Sequence, residues 1–210
     1  EECHRIYEID EHFFDKIDTE EKAYMLGFIY ADGYNAKDKK NIRIDLSVID
    51  KDILIKFAKL IYRDNNPPES HVHIYDRTHE GKGIYAVLNI HSKYMCEKLN
   101  EAGCPNKKSH ILTWPEWLDE KFIRHFIRGY FDGDGGIKHN NTPGGGYSFS
   151  ICGSEKFIER LQEVIKNKLD IHTNIRFENG TWVLTNGGNR LCLKFFDWMY
   201  GHSSIYLERK

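Results

Sequence analysis

Two aspartates occupy matched places in this chain. Asp32 is the eighth residue of Met25-Leu26-Gly27-Phe28-Ile29-Tyr30-Ala31-Asp32-Gly33. Asp134, 102 positions on (134 − 32), is the eighth of Ile127-Arg128-Gly129-Tyr130-Phe131-Asp132-Gly133-Asp134-Gly135. Asp-Gly alone is a common turn, and an aspartate at a helix C-terminus opposes the helix dipole. Meeting that cost twice, at equivalent positions, points to a function that outweighs it. Two carboxylates side by side repel each other, and a divalent cation between them makes the pairing tolerable. An all-oxygen ligand set of this kind suits Mg²⁺, with Mn²⁺ as a substitute.

The carboxylates can meet only if the helices that carry them do. Small residues recur four apart in each stretch, as Gly27 and Ala31, then Gly129 and Gly133. Residues four apart share a helix face, so each helix carries a strip where another backbone can approach closely. Packed on these strips, the two helices set Asp32 beside Asp134.

The flanking sequence repeats too. In the first half, Asp18 or Thr19 caps a helix whose apolar run covers 23–31 and stops at Gly33. Residues 41–48 alternate apolar and polar side chains strictly, as a half-buried strand does. Asp50 then caps a helix to Ile61, two strands follow near 71–77 and 85–91, and a helix runs from Ser92 to Gly103. The second half offers a motif helix from Glu120 to Asp134, strands at 136–139 and 147–152, and a helix from Ser154 to about Lys168. A hairpin follows over Asn179-Gly180, between strands 174–178 and 181–185, and a last helix runs from Asn189 to Gly201. The sequence thus predicts an α+β protein of two αββαββα repeats related by a pseudo-twofold axis. Residues 1–17 read as an acidic N-terminal extension, 18–104 as the first repeat, 105–119 as a linker and 120–210 as the second repeat.

Net charge is −2, but residues 1–22 hold nine acidic and three basic side chains, so the remainder carries +4. Nucleic-acid binding needs a basic face rather than a basic total. Five scattered cysteines (Cys3, Cys96, Cys104, Cys152 and Cys192) form no C-x-x-C pair, which fits free thiols in a reducing, intracellular compartment. No apolar run approaches the ~18 residues of a membrane span, and no signal peptide is visible. The eleven histidines form no H-E-x-x-H and no Cys/His cluster. Gly133–Gly136 lacks the lysine of a phosphate-binding loop and closes a helix instead of opening one.

The two motifs, their lead-in and the pattern after each resemble the LAGLIDADG homing endonucleases in their single-chain, two-motif form, over about residues 13–207. That resemblance implies LAGLIDADG helices packed at the interface of the repeats and antiparallel sheets that form a DNA-binding saddle. It implies a monomer acting as a pseudo-dimer that hydrolyses double-stranded DNA at a long, nearly asymmetric site. Asp32 and Asp134 are then the catalytic metal ligands, one per half, joined by the carbonyls of Ala31 and Gly133. The motif's first acidic position is Tyr30 in one copy and Asp132 in the other, and Asp132 is not counted as a ligand. Around the metals the family places polar or basic groups. The corresponding candidates are Asp50, His91, Lys93 and Arg190, and no lysine stands at the end of either half's last strand. Relatives on the same fold also include RNA maturases and transcriptional regulators, so a non-cleaving DNA binder or an RNA-binding maturase is the alternative.

Outward strand positions are the candidate DNA contacts, because major-groove base edges carry a full donor/acceptor code. They are Asn35, Lys37, Arg43, Asp45, Ser47, His71, His73, Arg77, Lys138, His139, Ser148, Ser150, Asn174 and Arg176, with Lys107 and Lys108 as phosphate binders.

Overall fold

A computed structural model describes residues 7–36, 40–108, 111–141 and 145–210. Two helices form its centre. Thr19 caps α1 (Glu20–Asp32) by accepting from the Lys22 amide. Asp119 caps α4 (Glu120–Asp134) in the same way, through the Lys121 amide. The helices meet at their glycines. A Cβ at Gly27 would stand 1.9 Å from the Phe126 carbonyl oxygen, and one at Gly129 would stand 2.0 Å from that of Tyr24. Backbone therefore rests on backbone at the crossing, which no side chain larger than hydrogen allows.

Each motif helix feeds a four-stranded antiparallel sheet. The first contains β1 (Gly33–Asn35), β2 (Asn41–Ser47), β3 (Val72–Asp76) and β4 (Ile84–His91), in the order β1-β2-β4-β3. The second contains β5 (Gly135–His139), β6 (Tyr147–Gly153), β7 (Asn174–Glu178) and β8 (Thr181–Gly187), in the order β5-β6-β8-β7. The order is the same in both halves. Helices α2 (Lys51–Ile61) and α3 (Lys93–Glu101) belong to the first, α5 (Glu155–Leu169) and α6 (Asn189–Tyr200) to the second. Ser92 and Ser154 cap α3 and α5. Asn179 and Gly180, at φ 50° and 82°, make the tight turn between β7 and β8.

One core joins the halves. The inward residues Ile42, Ile44, Leu46, Leu88 and Ile90 belong to the same buried cluster as Phe149, Ile151 and Leu184. The segment read as an acidic extension is, from residue 9 on, part of this body. Phe13, Phe14 and Ile17 are buried, Asp10 pairs with Arg63 at 2.9 Å and Glu11 accepts from Ser92 at 2.6 Å. Asp50 precedes α2 but does not cap it. Its carboxylate turns instead to Arg209, 2.8 Å away in the other half. No helix among the described residues is long and apolar enough to cross a membrane.

A second lock ties α4 to α1 and to segment 201–210. Arg128 is fully buried and donates to Glu20 at 2.6 Å, to Met199 O at 2.7 Å, to Ile205 O at 2.9 Å and to His125 Nδ1 at 2.9 Å. Burial, with Arg128 alongside, pushes His125 down to about 4 and keeps it a neutral acceptor. Arg128→Met removes the partner of Glu20 and of two carbonyls at once. It should cost about 3 kcal/mol, read as a fall in the urea midpoint without a change in slope.

Candidate metal and nucleic-acid site

Asp32 and Asp134 end α1 and α4, immediately beyond the crossing, and α4 has no basic residue in its last turn to complement the dipole. Both side chains are exposed, yet neighbouring protein lies close enough to disfavour their charged forms. The two motifs touch here: a Cβ on Gly133 would lie 2.4 Å from Ala31 Cβ and 3.0 Å from Asp32 Oδ2. The surrounding protein, and then the charge of Asp32, push Asp134 up to about 6, against the pull of Lys108, Tyr130 and Lys210. Asp32 is raised too, first by its surroundings and also by Asp50, against Lys108, Lys210 and Arg209. A carboxylate pushed up by the charge of its neighbour is held where a cation would relieve both.

Two lysines complete the centre. Lys108 Nζ donates to Ala31 O at 2.8 Å and to Gly33 O at 2.6 Å. Lys210 Nζ donates to Gly135 O. Gly135 is the repeat equivalent of Gly33, and Lys210 stands 102 positions after Lys108, the same offset as the aspartates. Burial and Arg209 lower the Lys210 pKa, while Asp132, Asp32 and Asp134 oppose that shift. Neither lysine stands at the end of its half's last strand, where the sequence offers none. The signal that finds them is the repeat offset itself, carried past the helices into the turns after α3 and α6.

His91, Lys93 and Arg190 lie away from this centre. Gly33 pairs with Ile44, whereas His91 pairs with Asn41, three residues along β2. At about 3.4 Å per residue this sets His91 roughly 10 Å from the helix ends. Lys93 is exposed and lies 3.8 Å from Glu97, and Arg190 is exposed on α6. Among the expected polar or basic groups only Asp50 faces the centre, where its charge reaches Asp32.

Strand register sorts the expected DNA contacts. Tyr34, Arg43 and Asn89 share the open face of the first sheet, as do Asp45, Val87 and His73, and then Ser47, Tyr85 and Tyr75. Arg43 and Asp45 pair at 2.6 Å and line one cavity with Arg77 and Lys82. On the second sheet Lys138 lies opposite Ser148, while Ser150, Thr185 and Asn174 fall in one row and Cys152, Val183 and Arg176 in another. Four expectations are corrected. Asn35 is buried, its amide donating to Cys96 O and Cys104 O. His71 is buried in the short 3₁₀ turn before β3, stacked on Tyr62 at 3.6 Å between ring centroids. His139 follows Lys138 and so projects to the opposite face, packed on Tyr147. Lys107 is exposed, but Lys108 points into the centre rather than out to a phosphate. Lys37 lies outside the described residues.

The donor set is compatible with a divalent cation. No cluster of three or more His, Cys, Asp or Glu able to hold a metal occurs among the described residues. What the site offers is two carboxylates with raised pKa values, neighbouring backbone carbonyls, and room kept open by Gly133. Mg²⁺ binds through one or two carboxylates and retains several waters, so this set suffices for it.

Comparison with known proteins bears on the fold. The model of the LAGLIDADG-like domain matches residues 121–197. An uncharacterized protein of Methanocaldococcus jannaschii is 25% identical over 174 residues, covering 77% of this chain and 61% of its own length. The replication factor C small subunit of the same organism is 32% identical over 127 residues, covering 59% of this chain but 6% of its own length. The chain thus spans less than two thirds of either relative. Among solved structures, the homing endonuclease I-WcaI bound to its DNA recognition sequence superposes with a TM-score of 0.64 at 14% identity, over 95% of this chain and 90% of that one. The N-terminal LAGLIDADG domain of WhiA superposes with a TM-score of 0.55 at 18% identity, over 90% of this chain and 89% of that one. With two motif helices crossing at matched glycines and each opening onto a sheet of the same strand order, the chain has the two-repeat LAGLIDADG fold, and its second repeat matches the LAGLIDADG-like domain.

Proposed function

We propose that this protein is a divalent-metal-dependent, site-specific DNA endonuclease that acts as a monomer on a long, nearly asymmetric duplex site, encoded within an intron or intein. The observation that carries the reading is the pairing of Asp32 and Asp134 at the end of a backbone-tight helix crossing, where Asp134 is held up at about 6. A fold alone fixes no activity, and a protein that only binds DNA has no use for two mutually repelling carboxylates.

Asp32, Asp134 and the carbonyls of Ala31 and Gly133 would hold Mg²⁺ or Mn²⁺. Such ions supply an activated water and stabilise the leaving oxygen of a phosphodiester. The chain's own residues do the rest. The open faces of both sheets align the duplex through Arg43, His73, Arg77, Lys138 and Arg176, so that one scissile phosphate on each strand lies over the aspartates. Lys108 and Lys210, one per half, set an ammonium beside each carboxylate, where it offsets the charge that develops on the phosphate. Tyr130, whose hydroxyl donates to Cys152 O at 2.8 Å, walls the Asp134 side.

Selection of cleaved sequences from a randomised duplex library with Mg²⁺ tests the reading. Cuts on both strands at one long site are the expected outcome. Enrichment of a bound sequence that is never cut would favour a regulator. Neither cutting nor binding would move the weight to RNA.

A further inference from the structure

The sixth residue of each motif differs in kind, Tyr30 in one copy and Asp132 in the other, and neither is a proposed metal ligand. Both side chains are buried, and both face the segment that follows the last helix of their own half. Tyr30 OH donates to Ala102 O. Asp132 accepts from the Leu207 amide at 2.8 Å, from Tyr24 OH at 2.6 Å and from Tyr200 OH. These segments, 102–108 and 204–210, occupy the same repeat offset and end on Lys108 and Lys210.

Each half reinforces this attachment in its own way. In the first, the buried Asn35 amide donates to Cys104 O at 3.3 Å, and Asn106 donates back to Asn35 O. In the second, Arg128 holds Ile205 O, Glu20 accepts from the Ser204 amide at 2.8 Å, and Arg209 pairs with Asp50. A flexible lysine on a free turn would sample many positions. Here the turn is fixed one to six residues before the ammonium group.

We infer that the sixth motif position is a clamp: Tyr30 and Asp132 are positioning residues that hold, respectively, Lys108 and Lys210 against the helix ends. One copy uses a donor on a carbonyl and the other an acceptor for an amide, so the job is retained while the chemistry is inverted. Both act through backbone, which explains why a tyrosine and an aspartate can stand at equivalent places. The consequence for strand cleavage rests on the nuclease reading above; the clamp itself does not.

Two measurements on the intact protein separate these. Hydrogen–deuterium exchange without DNA or metal reads the clamp. Tyr30→Phe removes one hydroxyl and should speed exchange in segment 102–108 while leaving 204–210 unchanged. Asp132→Asn should do the reverse. Unchanged exchange in the matching segment overturns the clamp, whatever the protein does to DNA. Single-turnover nicking of a duplex labelled separately on each strand reads the consequence. Each variant should slow one strand by roughly 10- to 100-fold, the cost of a displaced group, and leave the other within about twofold, with opposite strands affected by the two variants. Equal slowing of both strands with a loosened segment means the residues are merely structural and overturns the positioning role. If the wild type cuts neither strand, the nuclease reading fails while the exchange result still decides the clamp.

Discussion

Gly27→Leu and Gly129→Leu should abolish the cooperative unfolding transition, and even Gly27→Ala should cost more than about 3 kcal/mol. The reason lies in what the new atom meets. At either glycine a Cβ would stand about 2 Å from a carbonyl oxygen of the opposite helix, with further backbone atoms at 2.9 Å. A flexible side chain in the way could rotate aside, but backbone can move only if α1 and α4 separate along their length. Separation would break the edge contact between Tyr30 and Phe126, 5.0 Å between ring centroids, and it would pull Asp32 away from Asp134. Circular dichroism through a guanidinium titration measures this directly. A Gly129→Leu protein with the wild-type midpoint would show that the helices do not meet at these glycines.

That crossing is legible in the sequence because small residues four apart leave a periodic trace. The alternating strands and the caps at Thr19, Ser92 and Ser154 are legible for the same reason: each follows a short local rule. The basic half of the centre follows none. Lys108 and Lys210 sit in irregular turns, and only the repeat offset marks them as a pair. Three of the expected DNA contacts failed for reasons of parity and context. Lys138 and His139 are adjacent in a strand, so both cannot face the duplex. His71 shares the parity of His73 but falls in the turn before the strand, where stacking on Tyr62 buries it. Asn35 follows a motif helix so closely that its amide serves to tie down the Cys104 turn. Asp50 looked like a helix cap, and its pairing with an arginine 159 residues away is a tertiary contact that no local rule could supply.

Asp134→Asn should reduce double-strand cleavage by about 10³-fold or more while leaving duplex binding nearly unchanged, because it removes a charge where the cation and the developing phosphate charge must be balanced. The same substitution should make the metal-free protein more stable at neutral pH. Asp134 ionises at about 6 in the folded chain against an ordinary 3.8, so the fold disfavours its charged form. Above about pH 6 that cost stands in full. As pH falls from 6 toward 3.8, the folded chain takes up a proton that the unfolded chain does not, and the cost fades. The Tm of Asp134→Asn in the presence of a chelator should therefore exceed the wild-type value at pH 7.5 and converge on it near pH 4. Added Mg²⁺ or Mn²⁺ should raise the wild-type Tm with concentration, as a ligand of the native state does, and should raise that of the variant far less. The two effects have one origin: a carboxylate placed beside Asp32 is a liability to the metal-free fold and would become an asset with a divalent cation held by Asp32 and Asp134. A variant that lost cleavage without gaining stability at pH 7.5 would show that Asp134 is not held against its own charge, and the pairing on which the nuclease reading rests would go with it.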